Sequence, residues 1–206
     1  MTSKERVLLA PSIAYEQKTE NFSFTNIGLG KVLLIQPVAP FVDNRGYFTR
    51  TYDSREFNFL SLPTQWSEEY EGYNEKTYTV RGFHFLKPPH SQTKLIRVVT
   101  GAALFTILDI GIDSPTCGKW VQTTLTEEER NAVLVPEGFA VCICSLTPST
   151  RLFYKMDKPF NLKSYGSILW NSPGLNIPWP VNIPSTISEK DASAQTFDKY
   201  LSQNCH

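Results

Sequence analysis

The chain has 206 residues, 41% of them hydrophobic and 13% aromatic, enough for one domain with a substantial core. Its 20 basic and 20 acidic residues cancel, which argues against a nucleic-acid binder, since those carry a basic excess. No apolar run approaches the roughly 18 residues of a membrane span, and the opening Met1-Thr-Ser-Lys-Glu-Arg6 lacks the apolar core of a secretory signal.

Residues 1–30 are weakly patterned and read as an N-terminal extension, with a candidate early strand at 21–26. Residues 31–36 read as a strand that Pro37 and Pro40 end. Asp43-Asn-Arg45-Gly46 is a turn signal, and 47–52 alternates as a second strand. A short helix is expected over 54–60 with Ser54 as its N-cap. Pro63 stops it, and 65–70 resumes extended chain. Residues 77–80 and 95–99 are rich in β-formers. They flank Arg81-Gly-Phe-His84, Pro88-Pro89-His90 and Lys94, so two strands joined by a loop are predicted, with the ionisable side chains near the turn. Strict alternation puts Arg81 and His84 on opposite faces; a bulge at Gly82 would bring both to one.

Residues 102–110 read as an apolar strand buried on both faces or nearly so. A turn at 114–118, a strand at 120–125 and a solvated turn at 126–130 follow. Strands are then expected at 132–135, 140–146 and 151–155. Cys142 and Cys144, two apart, point to one face and read as core packing. With Cys117 and Cys205 they form no CxxC spacing, which fits a reducing cytoplasm. The stretch holding Pro173, Pro178, Pro180 and Pro184 should wrap over the strands as irregular chain. A short helix capped by Ser188 begins the last segment. Short strands separated by Gly, Pro, Ser and Asp are the pattern of an all-β fold: a cupin-like jelly roll, as sandwich or barrel, with a few short helices.

A jelly roll with histidines raises the question of a metal, but there are only His84, His90 and His206 and no His-x-His pair, so no metal site is expected. A Gly-x-Ser-x-Gly elbow and a Gly-rich phosphate loop are absent from the sequence. Acid–base chemistry remains. His84 suits a general base, and a nearby carboxylate would orient its ring and stabilise the imidazolium. Lys94 could hold negative charge on a substrate oxygen, Tyr154 could return a proton, and Arg81 suits a diphosphate. Each has a plainer reading that prevails when it is taken singly: a hydrogen-bonded strand histidine, a solvated lysine, a tyrosine snorkelling from the core.

Taken together, Arg81-Gly-Phe-His84-Phe, then Pro88-Pro89-His90-Ser-Gln92-Thr-Lys94-Leu-Ile-Arg97 and Gly101, resemble the core of the dTDP-4-dehydrorhamnose 3,5-epimerases. Further matches follow the family's order: Phe41 to Phe48 around Arg45-Gly46; Asp109 with Ser114-Pro-Thr-Cys-Gly-Lys-Trp120; Val135-Pro-Glu-Gly-Phe-Ala140; Phe153-Tyr154-Lys155; Gly166 to Asn171; Trp179-Pro180; and Ser188-Glu-Lys-Asp191. The resemblance makes 1–206 a single domain with a family-like core at 31–191. It implies a homodimeric jelly roll, with no metal and no other cofactor, that acts on a nucleotide-linked 4-keto-6-deoxyhexose. His84 would be the base, Asp191 its partner, Lys94 the enolate stabiliser and Tyr154 the acid. Arg81 would bind the diphosphate, and Phe41 and Arg45 would reach the nucleotide of the neighbouring subunit. Phe160 is counted among the substrate-binding residues, as are Glu69 and Glu71, where the family usually has Gln and Asn. Three more positions depart from the pattern: Val141 replaces a His, Phe105 an Asp and Leu86 a Gln. The expectation is the same chemistry on a different substrate or with a narrower outcome; the alternative is a non-catalytic or weakly active sugar-nucleotide-binding relative on the same fold.

Overall fold

Alternating, β-branched sequence becomes strand along most of the chain. The computed structural model describes residues 16–204, and all strands below are counted among those. The first six are β1 (Glu16–Lys18), β2 (Phe22–Asn26), β3 (Leu33–Pro37), β4 (Phe41–Asp43), β5 (Gly46–Phe48) and β6 (Glu68–Asn74). Then come β7 (Val80–Leu86), β8 (Lys94–Thr100), β9 (Ala102–Asp109) and β10 (Trp120–Thr126). The last are β11 (Ala132–Val135), β12 (Phe139–Ser145), β13 (Thr150–Met156) and β14 (Tyr165–Ser167). A seven-stranded sheet runs β1-β2-β3-β11-β8-β13-β6, a five-stranded sheet runs β10-β9-β12-β7-β14, and β4 with β5 forms a separate hairpin. The pairings within each are antiparallel. This is the all-β jelly-roll sandwich that the strand spacing predicts.

The two sheets enclose Ile96, Val98, Phe105, Ile107, Val141, Ile143 and Leu152. The outer face of the large sheet buries Phe22, Phe24, Ile35 and Leu134 beneath Phe57 of helix α1 (Ser54–Phe59). Phe57 is fully buried, a contribution of about 1.5–3 kcal/mol from transfer alone. The outer face of the small sheet buries Phe83, Phe85, Cys142 and Cys144 under Trp170, Phe197 and Tyr200 of the C-terminal segment.

Several expectations change in detail. The two strands expected on either side of the Pro-Pro loop are β7 and β8, but they lie in different sheets, and the loop crosses between them. Asp53 is the N-cap of α1, not Ser54, because its extended backbone lets its carboxylate accept from Arg55 N–H. The strand expected at 47–52 ends at Phe48, and Tyr52 instead packs edge-on against Phe57 at 4.8 Å. Residues 16–26, assigned by sequence to an extension, add two strands to the large sheet; residues 1–15, Cys205 and His206 lie outside the described residues. Beyond the short helix α2 (Glu189–Ala192), a further helix α3 (Phe197–Asn204) docks Phe197 and Tyr200 on the core.

Candidate active site

Arg81 and His84 share the interior face because β7 carries one residue more than its partner. Arg81 lies opposite Ile143 and His84 opposite Val141, so three steps on β7 match two on β12. Gly82 absorbs the surplus at φ +110°, where a side chain is strained and a Cβ would collide with Val141 O. Its N–H turns away from the ladder and donates to Asp191 Oδ2 at 3.4 Å.

Asp191 arrives from the other end of the sequence. Ser188 caps α2, its Oγ accepting from Asp191 N–H at 3.1 Å, and the single turn carries the Asp191 carboxylate inward until it is 5% exposed. His84 Nε2–H donates to Asp191 Oδ1 at 2.6 Å. Burial alone would raise the pKa of Asp191. The hydrogen bond and charge of His84, the Gly82 amide and Ser188 outweigh that and hold it below the ordinary carboxylate value. With Nε2 committed as a donor, Nδ1 carries the free lone pair. About a third of the His84 side chain stays open, 34%.

Lys94 begins β8 on the interior face, 9% exposed, and its Nζ donates to the His84 carbonyl at 3.3 Å. Among the described residues it has no carboxylate partner, and burial pushes its ammonium down to about 8. Tyr154 stands on β13 opposite Ile96 and Tyr70. Its ring lies over Gly72, where a Cβ would already be 3.4 Å away. Burial raises its phenol above the ordinary value, with the charge of Arg81 pulling the other way. Arg81 itself is held by Asn74 Oδ1 at 2.6 Å and the Tyr73 carbonyl at 2.9 Å, leaving part of the guanidinium open. The cluster can therefore offer an oriented base, a buried cation, a neutral phenol and a cation at the rim.

Other candidates go elsewhere. Glu69 and Glu71 alternate onto the face of β6 opposite Tyr154's, a correction to their reading as substrate-binding residues: there Glu69 pairs with Lys155, and Glu71 with Arg151 at 2.7 Å. Phe41 is 80% exposed on the hairpin, and among the described residues Arg45 bonds only Asp43, at 2.6 Å. Phe160 is 46% exposed at the rim. His90 is structural: Asn161 donates to its Nε2 at 3.2 Å, and its Nδ1 donates to Ser164 at 2.8 Å. The block after Asp109 is a buttress, since the buried Asp109 carboxylate accepts from Ser114 Oγ, Thr116 Oγ1 and Gly111 N–H at 2.5–2.9 Å. Val141, Phe105 and Leu86, the three departures, are all buried. Among the described residues no group of three His, Cys, Asp or Glu side chains is placed to hold a metal.

Sequence reading missed Tyr165, whose ring centre lies 5.5 Å from that of His84. The only signal was Gly166 after it, which lets β14 press its backbone onto Phe85.

A sequence model described as dTDP-4-dehydrorhamnose 3,5-epimerase matches residues 26–199. The dTDP-4-dehydrorhamnose 3,5-epimerase of Sinorhizobium fredii is 33% identical over 170 residues, covering 82% of this chain and 87% of that protein. The crystal structure of the Bacillus anthracis enzyme of that name, with TDP and PPi bound, is 36% identical with a TM-score of 0.77, covering 80% of this chain and 93% of its own. The structure of the Legionella pneumophila dTDP-6-deoxy-D-glucose-3,5-epimerase in complex with dTDP-4-keto-L-rhamnose is 26% identical with a TM-score of 0.80, covering 86% and 93%.

Proposed function

We propose that this chain, which belongs to the dTDP-4-dehydrorhamnose 3,5-epimerase family, epimerises a nucleotide-linked 4-keto-6-deoxyhexose at carbon next to the ketone. The 2.6 Å bond from His84 Nε2 to Asp191 carries this reading, because it leaves Nδ1 as a base of fixed orientation. Nδ1 removes the proton beside the C4 carbonyl, and the C–H electrons move onto the ketone oxygen as an enolate. Asp191 stabilises the imidazolium that forms. Lys94, a buried cation without a carboxylate partner among the described residues, stabilises the enolate oxygen. Tyr154, kept protonated by burial, returns a proton to the opposite face, and solvent carries the His84 proton back to the phenolate. Arg81 binds the diphosphate through the part of its guanidinium that Asn74 and Tyr73 leave open.

The active form is a homodimer. Phe41, Val42, Tyr47 and Phe48 are 80, 74, 57 and 78% exposed on one small hairpin, an apolar surface that a second copy would cover. Phe41 and Arg45 would then reach the nucleotide in the neighbouring subunit's pocket, with Phe160 at its rim. The setting is the cytoplasm: Cys142 and Cys144 are kept as core thiols, and no helix among the described residues is long and apolar enough to cross a membrane.

Incubation with dTDP-4-keto-6-deoxyglucose in heavy water tests the reaction. Deuterium should enter C3, C5 or both, and the labelled positions count the carbons inverted. Saturable binding with no exchange would make the chain a sugar-nucleotide binder instead.

A further inference from the structure

Strand β14 lies at the edge of the small sheet and pairs only three residues with β7: Tyr165 with Leu86, Gly166 with Phe85 and Ser167 with His84. Tyr165 and Ser167 share one face with His84 and Leu86, so Tyr165 is the diagonal neighbour of His84, within reach for an aromatic side chain. Its ring is tilted 47° to the imidazole. Phe160 continues the surface, its ring centre 6.1 Å from that of Tyr165 and its N–H held by Glu68 at 3.0 Å. On Tyr165 sits Lys190, with Nζ 3.6 Å from the ring centre and no carboxylate partner among the described residues. Lys190 directly precedes Asp191, so one turn of helix fixes both the partner of the base and the cation on this ring. The Tyr165 hydroxyl makes no hydrogen bond among the described residues. Burial, helped by the charge of Asp191, pushes it up to about 12, so it stays neutral through the working range.

We propose that Tyr165 touches the substrate, its ring forming the wall of the sugar pocket beside His84, and that Lys190 is the positioning residue that holds the wall in place. The inference rests on the epimerase reading and names a contact that reading does not include. An aromatic face packs against the C–H face of a pyranose and keeps water from the carbon acid. The unbonded hydroxyl is available to a sugar hydroxyl. The wall recognises the hexose, not the nucleotide: it is built beside the base, whereas Arg81 stands three residues away on the same strand.

The test is equilibrium binding to the full-length chain, with dTDP-4-keto-6-deoxyglucose and dTDP alone as probes, alongside exchange kinetics. Tyr165→Ala should weaken the sugar nucleotide about tenfold and leave dTDP unchanged. Tyr165→Phe, which keeps the ring, should stay within about threefold of the parent. Lys190→Ala should raise KM about threefold with little change in kcat, and Lys190→Arg should recover it. Equal losses for dTDP and the sugar nucleotide would move the contact to the nucleotide and overturn the proposal. So would a Tyr165→Phe loss as large as that of Tyr165→Ala, or a lowered melting temperature with binding intact. A parent chain that shows no exchange but still loses sugar selectivity in Tyr165→Ala would sink the epimerase reading and leave the wall standing.

Discussion

The interior cluster and the β4–β5 hairpin are built from similar residues, aromatic and charged, but differ in what satisfies them. In the cluster the base, its partner and the buried cation are held inside the chain: Asp191 has the His84 ring and the Gly82 amide, and Lys94 has the His84 carbonyl. On the hairpin Phe41 and Phe48 face outward, and among the described residues Arg45 is held only by Asp43, two residues away. A group already oriented by its own fold loses little freedom when it acts. A group left open gains its order from another molecule. Under the proposed dimer, the contrast would divide the chemistry in one subunit from part of the recognition in its neighbour.

The sharpest way to break that division is Asp191→Asn. Exchange into the 4-keto sugar should fall about a thousandfold while dTDP binding holds; an undiminished rate would remove Asp191 from the mechanism. Lys94→Met comes next, with a loss of about a hundredfold. In the parent, Lys94 must be protonated to meet the enolate, and burial has lowered it from lysine's ordinary 10.5 to about 8. The sign is therefore a rate that declines as pH rises through about 8. A profile flat to pH 10 would mean the charge of Lys94 plays no part.

On the hairpin side, Arg45→Ala should raise KM about tenfold with kcat nearly unchanged. Co-refolding that variant with His84→Ala should restore low-KM activity, since in a mixed dimer the intact Arg45 serves the intact His84. If the mixture only averages the two parents, Arg45 acts within its own subunit or not at all. The smallest effect belongs to Ser114→Ala, which removes one bond to Asp109. It should cost about 1 kcal/mol in a denaturant melt and leave KM and kcat alone, which would separate a framework motif from the acid–base set.

Much of the strand layout was legible because period two is a local property: β9 and β12 follow directly from their apolar runs. Helix α3 was not read: the spacing of Phe197, Tyr200 and Leu201 is that of a helix face, but the proline-rich approach to it hid the signal. Two things were not local. Which sheet a strand joins depends on pairing across the chain, so the two strands around Pro88-Pro89 were legible but not that the loop between them crosses from one sheet to the other. Which face Glu69 and Glu71 present depends on the register of β6 with β13, set by Tyr70 opposite Tyr154. Asp191 was legible only through resemblance, since 107 residues separate it from His84. Tyr165 belongs to no motif that was read, and pairing with β7 alone reveals it.

The surplus residue at Gly82 has a consequence for how the chain could lose its activity. Deleting Gly82 would leave Arg81-Phe83-His84, a regular alternation that keeps both ionisable side chains on the interior face. What the deletion would take away is the spare amide, the one rung through which the sheet reaches beyond itself to Asp191. Such a shortened chain should still hold a diphosphate, while the Asp191 carboxylate, bonded to the His84 ring but no longer braced by the amide, orients the base less firmly. One codon could thus convert a catalyst into a receptor of the same shape, and an intact Arg81 and His84 in a relative's sequence would not by themselves reveal which of the two it is.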